Sequence, residues 1–184
     1  MRQFNQQYQE WINLPGDRPH PRPPASSSSP LGTTNAGSFI CQWDGATRRG
    51  SHSAGGMVIR SSAGLVVGAR GVQFGIIDDP LVVEMLTLRD AIHWCTEEGL
   101  TDVRFEGDAQ VIVEKLTSSE VRDSRIGALL EEVLHCLSNQ QGFSVQFVGR
   151  HNNRVAHLVA RNTLLLYPSA SRFFDFVAWL NSRM

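Results

Sequence analysis

Three acidic residues set the chemistry that this sequence can support: Asp44, Glu84 and Asp108. Asp44 ends the alternating run "SFICQWD" and is followed by Gly45 and Ala46. Either it opens a turn with Gly45, or a strand presents it for chemistry. Glu84 falls in a helical stripe formed by Leu81, Glu84, Leu88, Ala91 and Cys95, whose spacing alternates between three and four. A lone carboxylate on a sheet-facing stripe costs several kcal/mol unless it is paired or binds a cation. The alternatives are a partner arginine at an edge, or a helix rotated so that Glu84 reaches water. Asp108 follows the strand-like "TDVRFEG" and precedes a helix. That position points into the crevice at the carboxyl end of a sheet or serves as a helix N-cap. Taken together, the three acids can converge on one point. Convergent buried acids repel each other unless divalent cations neutralise them. An all-oxygen set with no cysteine nearby suits Mg²⁺ or Mn²⁺ rather than zinc. The chemistry such a cluster serves is phosphoryl transfer, in which two metals ~4 Å apart activate a water and stabilise the leaving oxygen.

The elements that must position these acids follow from pattern. "SFICQWD" places Phe39, Cys41 and Trp43 on one face of a first strand, and "AGGMVIR" and "GLVVGARG" continue as two more, with "SSAG" as a turn. Short connections predict an antiparallel meander. "DDPLVVEMLTLRDAIHWCTEEG" predicts a long helix with Asp79 as N-cap, Pro80 at the first helical position and Gly99 as the stop. A fourth strand, "TDVRFEGD", leads directly into a short helix, "AQVIVEKL". "SRIGALLEEVLHCLSN" is an amphipathic helix, "FSVQFVGR" a fifth strand and "RVAHLVARNTLLL" a closing helix. "RFFDFVAWLNSRM" reads as a final apolar helix. A meander followed by βα units predicts an α/β domain with a five-stranded mixed sheet, its first three strands antiparallel, flanked by helices. The first and fourth strands are expected side by side and parallel. Residues 1–37, with "PGDRPHPRPPASSSSPLGTTNAG", read as a flexible Pro/Ser-rich segment. The domain is expected over 38–167, with the apolar helix in 168–184.

The totals narrow the class. With 184 residues and 41% hydrophobic composition, the chain can bury a real core. No run of about 18 apolar residues predicts a membrane span, and the polar "MRQFNQQYQEW" lacks a secretory pattern, so an intracellular site, nuclear or cytoplasmic, is expected. Cys41, Cys95 and Cys136 show no ligand spacing and read as core thiols. A net charge of −1 argues against coating nucleic acid by bulk charge. However, Lys115 is the only lysine among 17 basic residues, and arginine forks suit phosphate.

Five pieces in order, "WDGAT", "AGGMVIRSSAG", "VEMLTLRDAIHWCTEEGL", "VRFEGDAQVIVEKL" and "FVGRHNNRVAHLVAR", resemble the ribonuclease H-like superfamily. The likeness is to the plant reverse-transcriptase-like domain of type 1 ribonuclease H kind, and a retroelement origin would accord with it. The resemblance implies a ribonuclease H-like fold. It also implies an endoribonuclease that cleaves the RNA strand of RNA/DNA hybrids using two Mg²⁺ ions, leaving a 3′-hydroxyl and a 5′-phosphate. On this resemblance Asp44, Glu84 and Asp108 match three metal-binding acids. The fourth acid is replaced: "NRVAH" places His157 where an aspartate is usual, so the second metal site is weakened, shifted towards Mn²⁺, or lost. His151 lies near the stretch where the family carries a mobile histidine, and no role is assigned to it. A hybrid would be read by groove shape, 2′-hydroxyls and phosphates. The turn "GSHSAGG", with Arg48 and Arg49, and on the other side Arg150, Asn153, Arg154 and Arg161, are the candidate backbone contacts. Two rival readings remain: a catalytically inactive nucleic-acid-binding module, and a protein-interaction domain docking through its C-terminal helix.

Overall fold

The computed structural model describes residues 38–118, 126–166 and 173–181; the N-terminal Pro/Ser-rich segment lies outside them. Strands β1 (Phe39–Ala46), β2 (His52–Ser61) and β3 (Val66–Ile76) form the expected antiparallel meander. Helix α1 (Pro80–Glu97) follows, then β4 (Val103–Gly107), α2 (Gln110–Ser118), α3 (Gly127–Ser138), β5 (Phe143–Phe147) and α4 (Arg154–Leu165). β4 lies parallel to β1, with Cys41 beside Phe105, and β5 lies parallel to β4.

The β1 pattern explains why this sheet is buried on both faces. Phe39, Cys41 and Trp43 enter a core built with Met85, Leu88, Ala91 and Cys95 of α1 and with Phe105, Ile112 and Leu130. Successive residues of β2 divide between two cores. Met57 and Ile59 join this one, whereas Val58 joins Ala156 and Val159 of α4. α1 and α4 therefore cover opposite faces. Cys41 and Cys95 are buried free thiols, as their apolar settings predict.

α1 starts and stops as its sequence dictates. Asp79 Oδ1 accepts from the Leu81 amide at 3.0 Å, Pro80 follows, and Gly99 takes φ +70° after the last turn. Replacing Asp79 by alanine removes that acceptor and is expected to cost ~1 kcal/mol, read as a lower denaturant midpoint with an unchanged slope.

Two readings are corrected. The sheet has six strands in the order β5-β4-β1-β2-β3-β6, because Phe173–Asp175, expected to be helical, forms β6 against β3. The reason is period two. Phe174 and Phe176 are buried with α4, while Phe173 turns to the other face, its ring 5.4 Å from the Arg70 guanidinium. Helix begins only at α5 (Val177–Asn181), where Asp175 Oδ1 accepts from the Val177 amide at 2.8 Å. Phe174, Phe176 and Leu180 of this segment are buried in the domain, and Val177 and Trp179 pack partly against the same core. The second correction concerns "GSHSAGG". Its last five residues, His52 to Gly56, lie within β2, and only Gly50 and Ser51 precede the strand. Gly55 and Gly56 are packing positions: a Cβ on Gly56 would stand 2.3 Å from the Ala160 nitrogen and 2.4 Å from the Ala156 oxygen of α4. No helix among the described residues is long and apolar enough to cross a membrane.

Candidate metal centre

The three acids meet. One carboxylate oxygen from each of Asp44, Glu84 and Asp108 lies within 4.8 Å of the others. They arrive on three separate elements: β1, α1 and the turn after β4. Asp44 is not in a turn. It sits inside β1 opposite Gly56, and the strand runs on to Ala46, so the turn alternative falls. Gly45 makes the approach of α1 possible, since a Cβ there would lie 3.0 Å from the Glu84 nitrogen and 3.2 Å from its carboxyl carbon. The Gly45 amide also hydrogen-bonds the Glu84 carboxylate. Glu84 Oε2 is buried with no hydrogen-bond partner. The stripe reading of Glu84 thus holds, and the arginine-paired and water-facing alternatives do not describe that oxygen. A buried carboxylate oxygen without a donor costs free energy that a cation would recover.

Asp108 is supported rather than free. Arg150 Nε donates to its Oδ2 at 3.0 Å and Asn153 Nδ2 donates to its Oδ1 at 3.0 Å. Asn153 Nδ2 also donates to the Trp43 carbonyl at 2.8 Å, tying α4's start to β1. Asn153 is only 1% exposed, and its amide holds Asp108. That support was not legible in the sequence. Gln42 adds a second support: its Nε2 donates to the Asn152 carbonyl at 2.7 Å and so anchors the same loop. The signal for Gln42 was present: in "ICQWD" it shares a face with Asp44. His157 reaches the cluster from α4, its Nδ1 2.8 Å from Asp44 Oδ2, but lies outside the three-acid set. Arg48, Arg49, Arg154, Arg161 and His151 are exposed. The Arg48–Arg49 turn is tied down by the Gly50 amide, which donates to Asp78 Oδ1 at 3.2 Å.

Burial dominates the electrostatics. It raises the Asp44 carboxyl to about 6; His157 pulls that value down and Asp108 pushes it back up. Glu84 is carried well above the ordinary carboxylate range by burial and then by Asp44. For Asp108, burial is outweighed by the hydrogen bonds from Asn153 and Arg150, and its carboxyl falls below the usual range. The linkage has a definite sign. Asp44 binds its proton more tightly folded than unfolded, so its contribution is full below pH ~4 and is lost as pH rises through about 6. The chelator-stripped domain is therefore expected to lose on the order of 2 kcal/mol between pH ~4 and ~7. Melting curves in chelator across that window check this, and Asp44→Asn should flatten the fall.

The sheet order and flanking helices define a ribonuclease H-like α/β fold. The model of the reverse transcriptase-like family matches residues 42–163, and the chain belongs to that family. No curated protein matches the chain at the significance required. Among solved structures, the chain is similar to ribonuclease H1 from the halophilic archaeon Halobacterium salinarum NRC-1. Identity is 25% and the TM-score 0.65, covering 70% of this chain and 98% of that one. The N-terminal ribonuclease H domain of a Mycobacterium tuberculosis protein matches at 18% identity and TM-score 0.62, covering 70% and 94%. LC11 ribonuclease H1, isolated from compost by a metagenomic approach and solved with an RNA/DNA hybrid, matches at 17% and 0.62, covering 68% and 96%.

Proposed function

We propose that this chain is a divalent-metal-dependent endoribonuclease acting on the RNA strand of RNA/DNA hybrids. The observation that carries the reading is the convergence of three carboxylates from separate elements around the partnerless, buried Glu84 Oε2. The donor set fits a hard cation: all three are oxygen ligands, and burial raises the carboxyls of both Asp44 and Glu84, a cost that a bound cation would offset. Asp44, Glu84 and Asp108 would hold Mg²⁺ or Mn²⁺, with His157 beside Asp44. Bound there, the metal would supply Lewis acidity at the scissile phosphate and an activated water. The chain's own residues do the rest. Asn153 and Arg150 fix the Asp108 carboxylate. The Arg150 side chain, 88% exposed, leaves its guanidinium at the surface beside the site, where a phosphate can take it up. Arg48, Arg49 and Arg154 are exposed cations suited to backbone contacts that position a duplex without reading its sequence. The hybrid-bound relative and the family match support nucleic acid as partner, and the same match supports descent from a retroelement polyprotein.

The test is cleavage of an RNA-labelled hybrid by the purified domain in Mg²⁺ and in Mn²⁺, beside single-stranded RNA and duplex DNA. Cleavage confined to the hybrid's RNA strand and abolished by chelator is expected. No cleavage in either metal sinks the enzyme reading. One observation favours a second reading, binding without cleavage: an imidazole, not a carboxylate, is the fourth side chain at the cluster. Hybrid binding indifferent to metal would mark that case.

A further inference from the structure

We propose that this site holds one divalent ion, with the His157 imidazole standing where a second ion would need an oxygen ligand. The inference rests on the metal-centre reading above and concerns only its stoichiometry.

A two-ion centre requires oxygen donors for both ions, and in particular a carboxylate that gives one oxygen to each. The acids here are committed otherwise. Asp44 Oδ2 is engaged by His157 Nδ1 at 2.8 Å, so the other Asp44 oxygen is the one clear of the imidazole. Asp108 accepts one hydrogen bond on each oxygen, from Arg150 on Oδ2 and from Asn153 on Oδ1, and keeps one lone pair per oxygen for the ion that the three acids share. Glu84 contributes the partnerless Oε2. The three ligand atoms lie within 4.8 Å of one another. Ligands of a single octahedral Mg²⁺ stand roughly 3–4 Å apart, so a small closure onto one ion satisfies all three. A second ion would need further oxygens. The one additional side chain bonded to Asp44 is an imidazole whose Nδ1 is already used, and Mg²⁺ takes nitrogen poorly. Charge gives the same count. One divalent ion together with the Arg150 guanidinium matches three carboxylates, whereas a second divalent ion would leave a surplus of positive charge.

The experiment is a Mn²⁺ titration of chelator-stripped full-length chain, with free Mn²⁺ followed by its electron paramagnetic resonance signal. Wild type is expected to take up one ion per chain, and His157→Asp, which restores an oxygen donor, two. Pulsed measurements on the singly loaded wild type should show no directly bound nitrogen, because His157 holds Asp44 rather than the metal. Two ions in wild type overturn the one-ion inference and leave the proposed activity standing. No bound ion overturns the metal centre itself. A folded His157→Asp variant that stays at one ion, or strong nitrogen coupling to the bound Mn²⁺, overturns the role given to His157; the wild-type count needs no variant to fold.

Discussion

Asp108→Asn should leave a folded domain that has lost hybrid cleavage by on the order of 10³-fold or more. The amide keeps the shape of the carboxylate but removes its charge from the point where the three acids meet. It also reverses part of the local hydrogen bonding. Asp108 now accepts from Arg150 on one oxygen and from Asn153 on the other. An asparagine offers one acceptor and one donor, so one of those two partners faces an N–H and must move. That loss costs ~1 kcal/mol of stability, far too little to explain a large kinetic effect by unfolding. The two contributions separate cleanly: melting of the metal-free variant close to that of wild type, and cleavage assays at matched folded fraction. An Asp108→Asn variant retaining most of the wild-type rate would remove this carboxylate from the chemistry.

Gly56→Val is expected to destabilise the domain strongly, by about 4 kcal/mol or more. β2 and α4 meet backbone to backbone at this glycine. A Cβ there would lie 2.3 Å from the Ala160 nitrogen and 2.4 Å from the Ala156 oxygen, and neither atom belongs to a side chain that can swing away. α4 would have to lift off the sheet, emptying the core of Ala156, Val159 and Val58. Because α4 also brings His157 and, at its start, Asn153 to the cluster, the lift would loosen the site as well as the fold. Chemical denaturation measures the loss. A cost below 1 kcal/mol would show that the two elements are not clamped together at Gly56.

The line between what was legible in the sequence and what was not follows the range of the interactions. Period-two and period-3.6 apolar patterns locate β1 to β5 and α1 to α4, because each is set by which face of one element is buried. Asp79, Pro80 and Gly99 delimit α1 through local backbone chemistry. Glu84 stood out because a carboxylate on an apolar stripe is a local contradiction. β6 was missed because "FFDFVAWL" is apolar under either period, and only the free edge of β3 decides for a strand. The glycines of β2 looked like a turn because glycine marks both turns and close packing, and α4 lies about a hundred residues away in sequence. The burial of Asn153 is hidden for the same reason: an asparagine in "RHNNRV" looks exposed until the Trp43 carbonyl and the Asp108 carboxylate are brought to it.

The most direct test of the central claim, that Asp44, Glu84 and Asp108 form a divalent-metal centre, is anomalous diffraction from crystals soaked in Mn²⁺. An anomalous peak enclosed by the three carboxylates, within bonding distance of Glu84 Oε2, is the predicted result. At saturating Mn²⁺, density elsewhere on the molecule with none among these three acids would contradict it.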